Sequence, residues 1–200
     1  MATTAASVWD QRNRRLSGAV DDGFAHQVNL PEAQLTFIGW KPGIHIESGT
    51  PPDSIGFVQQ LKGTGRMRVN GRMVPDGELV MMHSPHDYDL VNTEDTHYLV
   101  LTVDKNRVRR HMEAFCGRPI EDFESISHLT TESPAHNRLL ERTFKRYLHQ
   151  VYQAPDSIFS PNAQDRLIEE LLDSIFLSGQ PSSSGSTEAR RHVLAHQAVG

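Results

Sequence analysis

Between residues 34 and 103 apolar side chains recur at every second position in short runs, and beyond residue 104 they recur at every third or fourth. The first period belongs to strands with one covered face, the second to helices with one apolar stripe. The alternating part predicts strands over 34–40 (Gln-Leu-Thr-Phe-Ile-Gly-Trp), 44–47, 55–61, 66–69, 72–74, 78–82, 88–91 and 97–103. Asn70-Gly71 between two strand-prone runs predicts a type I′ hairpin, because both central residues tolerate positive φ. Pro51-Pro52-Asp53, Gly63-x-Gly65 and Pro75-Asp76-Gly77 supply further turns, and Ser84-Pro85 stops the strand before it. Short strands with turns about every 8–12 residues make a barrel or a sandwich.

The helical part has clear punctuation. Asp104 is placed to cap a helix over 105–115, which Gly117 and Pro119 end. Ser133-Pro134 and Ser160-Pro161 each put a capping hydroxyl before a proline at the first helical position, where its missing amide costs nothing. The helix after Pro134 presents Leu140, Phe144, Tyr147, Leu148 and Val151. The helix after Pro161 presents Leu167, Ile168, Leu171, Leu172, Ile175 and Phe176, a face broad enough to touch two surfaces. One is the barrel or the partner helix. The general rule for amphipathic faces puts such stripes in the intramolecular core, and a second subunit can share the remainder, which makes Leu167, Ile168, Leu171, Leu172 and Ile175 the expected dimer contact. Residues 1–30 have little periodicity and read as an arm, and 180–186 (Gln-Pro-Ser-Ser-Ser-Gly-Ser) reads as a linker.

The order of these features carries a resemblance. The segment 61–90, followed by 98–103 and by Cys116-Gly117-Arg118-Pro119-Ile120 at a helix end, resembles the cupin-like amino-terminal domain of AraC/XylS transcription regulators. The resemblance spans residues 37–179. It implies a mainly β plus α fold: a cupin-like barrel of jelly-roll type over 31–103, then an amphipathic helical hairpin over 104–179 that serves dimerisation. It also implies a small-molecule effector held within the barrel, sometimes under the amino-terminal arm. Promoter DNA would be contacted only through a helix-turn-helix domain downstream, and residues 180–200 would be the linker and the start of that missing or absent domain.

Composition narrows the function classes. A net charge of −5 over 200 residues gives no global attraction to phosphate backbones, so this segment itself is not expected to bind DNA. The single cysteine, Cys116, excludes an internal disulfide. No apolar run approaches the ~18 residues that span a bilayer, and no signal-like apolar region precedes Arg12, Arg14 and Arg15, so no membrane partner is expected and the cytoplasm is the default.

Candidate chemistry centres on the barrel. Ligand pockets are apolar with a few placed polar groups, and the strands offer Trp40, Met82 and Tyr88 beside His45, Glu47, Gln59 and His97. Which of these face inward depends on register, since a slip of one residue exchanges the set. Eleven histidines also raise a metal reading, in which His45 and Glu47 share one strand face and a histidine from 83–97 completes the shell of a cupin-type enzyme. That remains the alternative. Its ligand pattern is incomplete, and neither a metal nor another cofactor is expected. Ser84, His86 and Asp87 lack the surroundings of a nucleophile and read as a turn.

Overall fold

The computed structural model describes residues 9–17, 23–61, 65–75, 78–84, 86–130, 134–153, 160–178 and 180–183. Among the described residues, twelve strands and three α-helices follow one another. The strands are β1 (Asp10–Arg15), β2 (Gly23–Leu30), β3 (Ala33–Trp40), β4 (Ile44–Gly49), β5 (Ser54–Gln60), β6 (Met67–Val69), β7 (Arg72–Met73), β8 (Leu79–His83), β9 (Asp87–Asn92), β10 (Thr96–Asp104), β11 (Ile126–Thr130) and β12 (Gln180–Ser183). The helices are α1 (Lys105–Cys116), α2 (Pro134–Gln153) and α3 (Pro161–Ser178).

Two antiparallel sheets face each other. The smaller has the order β1-β4-β9-β6-β7 and the larger β12-β11-β8-β5-β10-β3-β2. Strands distant in sequence lie side by side, β4 on β9 and β5 on both β8 and β10, so the chain crosses repeatedly between sheets in jelly-roll manner. The Asn70-Gly71 turn has φ of 48° and 77°, the pair of positive angles that a type I′ hairpin requires. Asp104 accepts a hydrogen bond on Oδ1 from the Arg107 amide at 2.9 Å, and Gly117 ends α1 in the left-handed region at φ 66°. Ser160 caps α3 through its Oγ, which accepts from the Ala163 amide at 3.2 Å.

Each face of the larger sheet has its own core. Between the sheets lie Ile38, Ile44, Ile46, Val58, Met67, Val69, Val80, Met82, Leu90, Tyr98 and Val100. The opposite face, with Leu35, Ile55, Phe57, Leu79, Met81, Leu99 and Leu101, is covered by the helices. Phe57 meets Phe176 of α3 edge-on at 6.2 Å.

Three sequence expectations need correction. The five residues assigned to a dimer contact, Leu167, Ile168, Leu171, Leu172 and Ile175, are 0–2 % exposed within the single chain. The two surfaces that the broad α3 face requires are the sheet and α2, both intramolecular, so no second subunit is needed to cover it. The stretch read as an arm contributes β1 and β2 as edge strands, and 180–183 of the expected linker forms β12 on β11. The turns at Gly63 and Asp76-Gly77, Pro85, the Ser133 cap and the stretch 184–200 lie outside the described residues.

Candidate functional site

Strand alternation divides the proposed ligand residues in two. On β3, β4, β5, β8, β9 and β10 the even-numbered side chains enter the space between the sheets, because Ile38, Ile44, Val58, Val80, Leu90 and Tyr98 all pack there. Trp40, Met82 and Tyr88 therefore belong to the interior. His45, Glu47, Gln59 and His97, the odd-numbered remainder, do not. His45 sits on the outer face of the smaller sheet with Nε2 3.0 Å from Asp89 Oδ1, and Glu47 is exposed. Gln59 is buried on the helix-covered face beside Phe57, in register with Leu79 and Leu99. His97 stands outside among Phe24 and Phe37, with ring centroids 5.6 and 6.3 Å away.

The same parity dissolves the metal reading. His45 and Glu47 face away from the interior on one sheet, while His83 lies on the helix side of the other, where its Nε2 is 2.6 Å from the Ile126 carbonyl oxygen. These donors point to no common centre, and no cluster of metal-ligating side chains occurs among the described residues.

Besides Trp40, the interior contains neutral polar groups that the sequence did not single out, Tyr98, Asn92 and Ser48. Trp40 donates its indole N–H to the Tyr98 hydroxyl at 3.0 Å. Burial pushes the Tyr98 phenol up to about 12, against the opposing influence of the Trp40 donor and the nearby Asn92 side chain, so it stays protonated at neutral pH. Asn92 is 0 % exposed and stands in register between Ile44 and Met67. Neither its Oδ1 nor its Nδ2 makes a hydrogen bond of normal geometry, and Ser48 Oγ, on the same inner face, is likewise unpartnered. An amide buried without partners costs about 1–3 kcal/mol, so this position is unfavourable unless something else completes it.

The surrounding elements hold that group in place. Gln60 clips the two sheets together: its Nε2 donates to the Gly65 carbonyl at 2.6 Å and its Oε1 accepts from the Met67 amide at 3.1 Å. The Tyr88 hydroxyl accepts from the His83 amide at 2.6 Å, and burial raises its phenol above the usual range. Trp9, just before β1, is 8 % exposed and donates its indole N–H to Thr102 Oγ1 at 2.8 Å. Its ring lies over Gly56, where a Cβ would come within 2.5 Å of two ring carbons. Glu78, 5 % exposed, is the one buried carboxylate among the described residues, and both its oxygens are held by the Arg72 guanidinium. The space between the sheets thus carries no unpaired charge among the described residues.

A second recess, a cleft of about 530 Å³, opens between the β2–β3 turn, α1 and α3. Arg107 dominates it, with Nη1 2.7 Å from Glu32 and 2.9 Å from Asp165, and Nη2 2.9 Å from Glu169. His111 lies between Glu169 and Asp173 at 2.7 and 3.0 Å. These charges satisfy one another and tie the barrel rim to α3.

Comparison with known proteins joins this geometry to a family. A model of the AraC-binding-like domain matches residues 8–177. The chain belongs to that family. It is the ligand-sensing kind of domain found in AraC-type regulators. Among solved structures, the AraC-like transcriptional activator CuxR superposes with a TM-score of 0.55 at 12 % identity, over 95 % of this chain and 70 % of that one. A predicted oxalate decarboxylase from Thermotoga maritima gives 0.34 at 16 % identity, over 46 % of this chain and 90 % of that one. A cupin superfamily protein from Desulfitobacterium hafniense gives 0.34 at 8 %, over 44 % and 82 %. No curated protein matches the sequence significantly.

Proposed function

We propose that this domain senses a small, uncharged, hydrogen-bonding effector in the chamber between its sheets, and reports its presence to the DNA-binding part of an AraC-type regulator. One observation carries the reading: the Asn92 amide is completely buried between the sheets beside the Tyr98 hydroxyl, and neither of its polar atoms makes a hydrogen bond of normal geometry. A ligand with one donor and one acceptor would satisfy it. Tyr98, Ser48 and Trp40 stand ready to orient such a molecule, and Met82 and Tyr88 supply apolar contact. With Glu78 already neutralised by Arg72, a charged effector would meet no unpaired counter-ion among the described residues.

In this reading the protein is not an enzyme: among the described residues the polar groups between the sheets offer hydrogen bonds, and no nucleophile–base pair or cluster of metal ligands stands there. Promoter DNA is the partner of the regulator's DNA-binding domain, the working form is a homodimer, and the site of action is the cytoplasm. No helix among the described residues is long and apolar enough to cross a membrane. A thermal-shift screen of neutral aromatic alcohols, amides and polyols, with their carboxylate counterparts alongside, tests the proposal. Stabilisation by a neutral compound that disappears in Asn92→Leu is expected. Stabilisation confined to carboxylates, or insensitive to Asn92→Leu, would overturn it.

A further inference from the structure

The side of α1 that meets α3 is written at a step of four residues. Arg107, His111 and Phe115 recur at that step on α1, and Asp165, Glu169 and Asp173 recur at it on α3, so each set lines one side of its helix. The two sets meet rung by rung. Arg107 reaches Asp165 and Glu169, His111 reaches Glu169 and Asp173, and Phe115 lies 6.2 Å from Phe176. The arginine and histidine rungs differ in what they can donate. A guanidinium always has several N–H groups, whereas a neutral imidazole has a single one and a bare lone pair on its other nitrogen. Both His111 nitrogens face carboxylates, Nδ1 at 2.7 Å from Glu169 Oε2 and Nε2 at 3.0 Å from Asp173 Oδ1. Carboxylates only accept, so this pair of contacts takes two N–H groups, which the imidazolium has and the neutral ring lacks.

We propose that His111 is a proton-operated latch between α1 and α3: as imidazolium it holds both Glu169 and Asp173, and on losing a proton it releases Asp173. Histidine is the side chain whose charge changes most readily in the physiological range. The neutral ring keeps one carboxylate and turns a lone pair toward the other. Glu169 is the one retained, because Arg107 Nη2 also holds it, at 2.9 Å on Oε1, while Asp173 has no other partner among the described residues. The charged groups around His111 are Asp165, Glu169 and Asp173 from α3, Glu32 from the β2–β3 turn, and Arg107 and Arg110 from its own helix. The histidine side chain is 12 % exposed, so water replaces a lost contact poorly. Its ring stacks on Phe176 at 5.8 Å, and Phe176 in turn meets Phe57 of the sheet, so release of the latch acts where α3 rests on the barrel. The latch lies on the helix side of the larger sheet and is independent of any effector held between the sheets.

The experiment uses the intact chain. Nitrogen-15 NMR of the histidine rings counts their N–H groups, with the His111 signals identified as those missing from His111→Gln. Both His111 nitrogens should be protonated at pH 6 and a single one at pH 9. Over the same range the hydrogen-exchange protection of amides 112–116 should fall by roughly three- to tenfold, the worth of one partly exposed charged contact. Asp173→Asn is the deciding variant: its amide donates an N–H to the bare lone pair, so the neutral ring satisfies both neighbours and the protection should no longer depend on pH. His83 is common to all three chains, so its own protonation cancels in the comparison. A His111 ring with one N–H at pH 6, or with two still at pH 9, would overturn the proposal. A fall in protection equal in the wild type and Asp173→Asn would overturn it too, as would protection that stays constant in the wild type while the ring loses its proton.

Discussion

Replacing Asn92 by leucine should make the ligand-free protein more stable. The substitution keeps the branched shape of the side chain and exchanges an amide for two methyl groups. In the structure the amide is 0 % exposed, flanked in register by Ile44 and Met67, and neither polar atom makes a hydrogen bond of normal geometry. Leaving such groups unpaired costs about 1–3 kcal/mol, and a methyl in the same place incurs no such cost. The gain is reduced where the bulkier leucine crowds its neighbours, so Asn92→Val, which removes the amide with less volume, is the companion variant. Urea denaturation should give an increase of about 1–3 kcal/mol for the better of the two. Thermal unfolding should rise by about 2–4 °C for each kcal/mol in a domain of this size. A loss of more than about 1 kcal/mol in both variants would refute the reasoning, because it would mean that Asn92 is satisfied in the free protein.

Three further outcomes follow from the packing. Leu171→Ala should cost about 2–5 kcal/mol in unfolding free energy, since the side chain is fully buried between sheet and helices; a stability unchanged in chemical denaturation would contradict this placement. Gly56→Ala should expel the Trp9 ring and shift tryptophan emission to longer wavelength with a lower melting temperature, and an unchanged spectrum would show that the ring does not lie there. Burial lowers the His83 pKa below its ordinary 6.5, so the unfolded chain takes up the proton first: stability from this group is complete above pH 6.5 and declines below it, by at most ~1.4 kcal/mol per pH unit. His83→Gln should therefore flatten the fall in melting temperature between pH 7 and pH 5, and an identical fall in both proteins would remove His83 from the account.

Much of the fold was legible because it is written in period and punctuation. The Asn70-Gly71 hairpin, the Asp104 cap, the Gly117 stop and the Ser160 cap are local features, and each sits where its residues place it. Edge strands were harder. Strand β1 reads Asp-Gln-Arg-Asn-Arg-Arg with no apolar residue, so its pairing with β4 leaves no trace in hydropathy. Strand β2 does alternate, through Phe24, Val28 and Leu30, but His26 interrupts the pattern.

The site was legible only up to parity. Trp40, Met82 and Tyr88 turn toward the space between the sheets, while His45, Glu47, Gln59 and His97 were chosen for their chemistry and lie one residue out of phase with that face. Asn92 carried the decisive signal, an amide at the same parity as Tyr88 and Leu90 on β9, yet strand pattern alone cannot show that its partners are missing. The dimer face failed for a related reason. A broad apolar stripe states that a helix has two neighbours, and only the tertiary structure shows that both belong to the same chain.

The chain has two tryptophans, and both, Trp9 and Trp40, pack against the inter-sheet core, so its intrinsic fluorescence is a direct reading of the proposed effector chamber. Titrating the compounds that stabilise the wild-type domain while following tryptophan emission, in parallel with Asn92→Leu and Glu47→Ala, tests the central claim. The account predicts saturable changes in emission that survive Glu47→Ala and vanish in Asn92→Leu. Binding that leaves the emission unchanged, or that is lost in Glu47→Ala and kept in Asn92→Leu, would place the effector outside the chamber and contradict it.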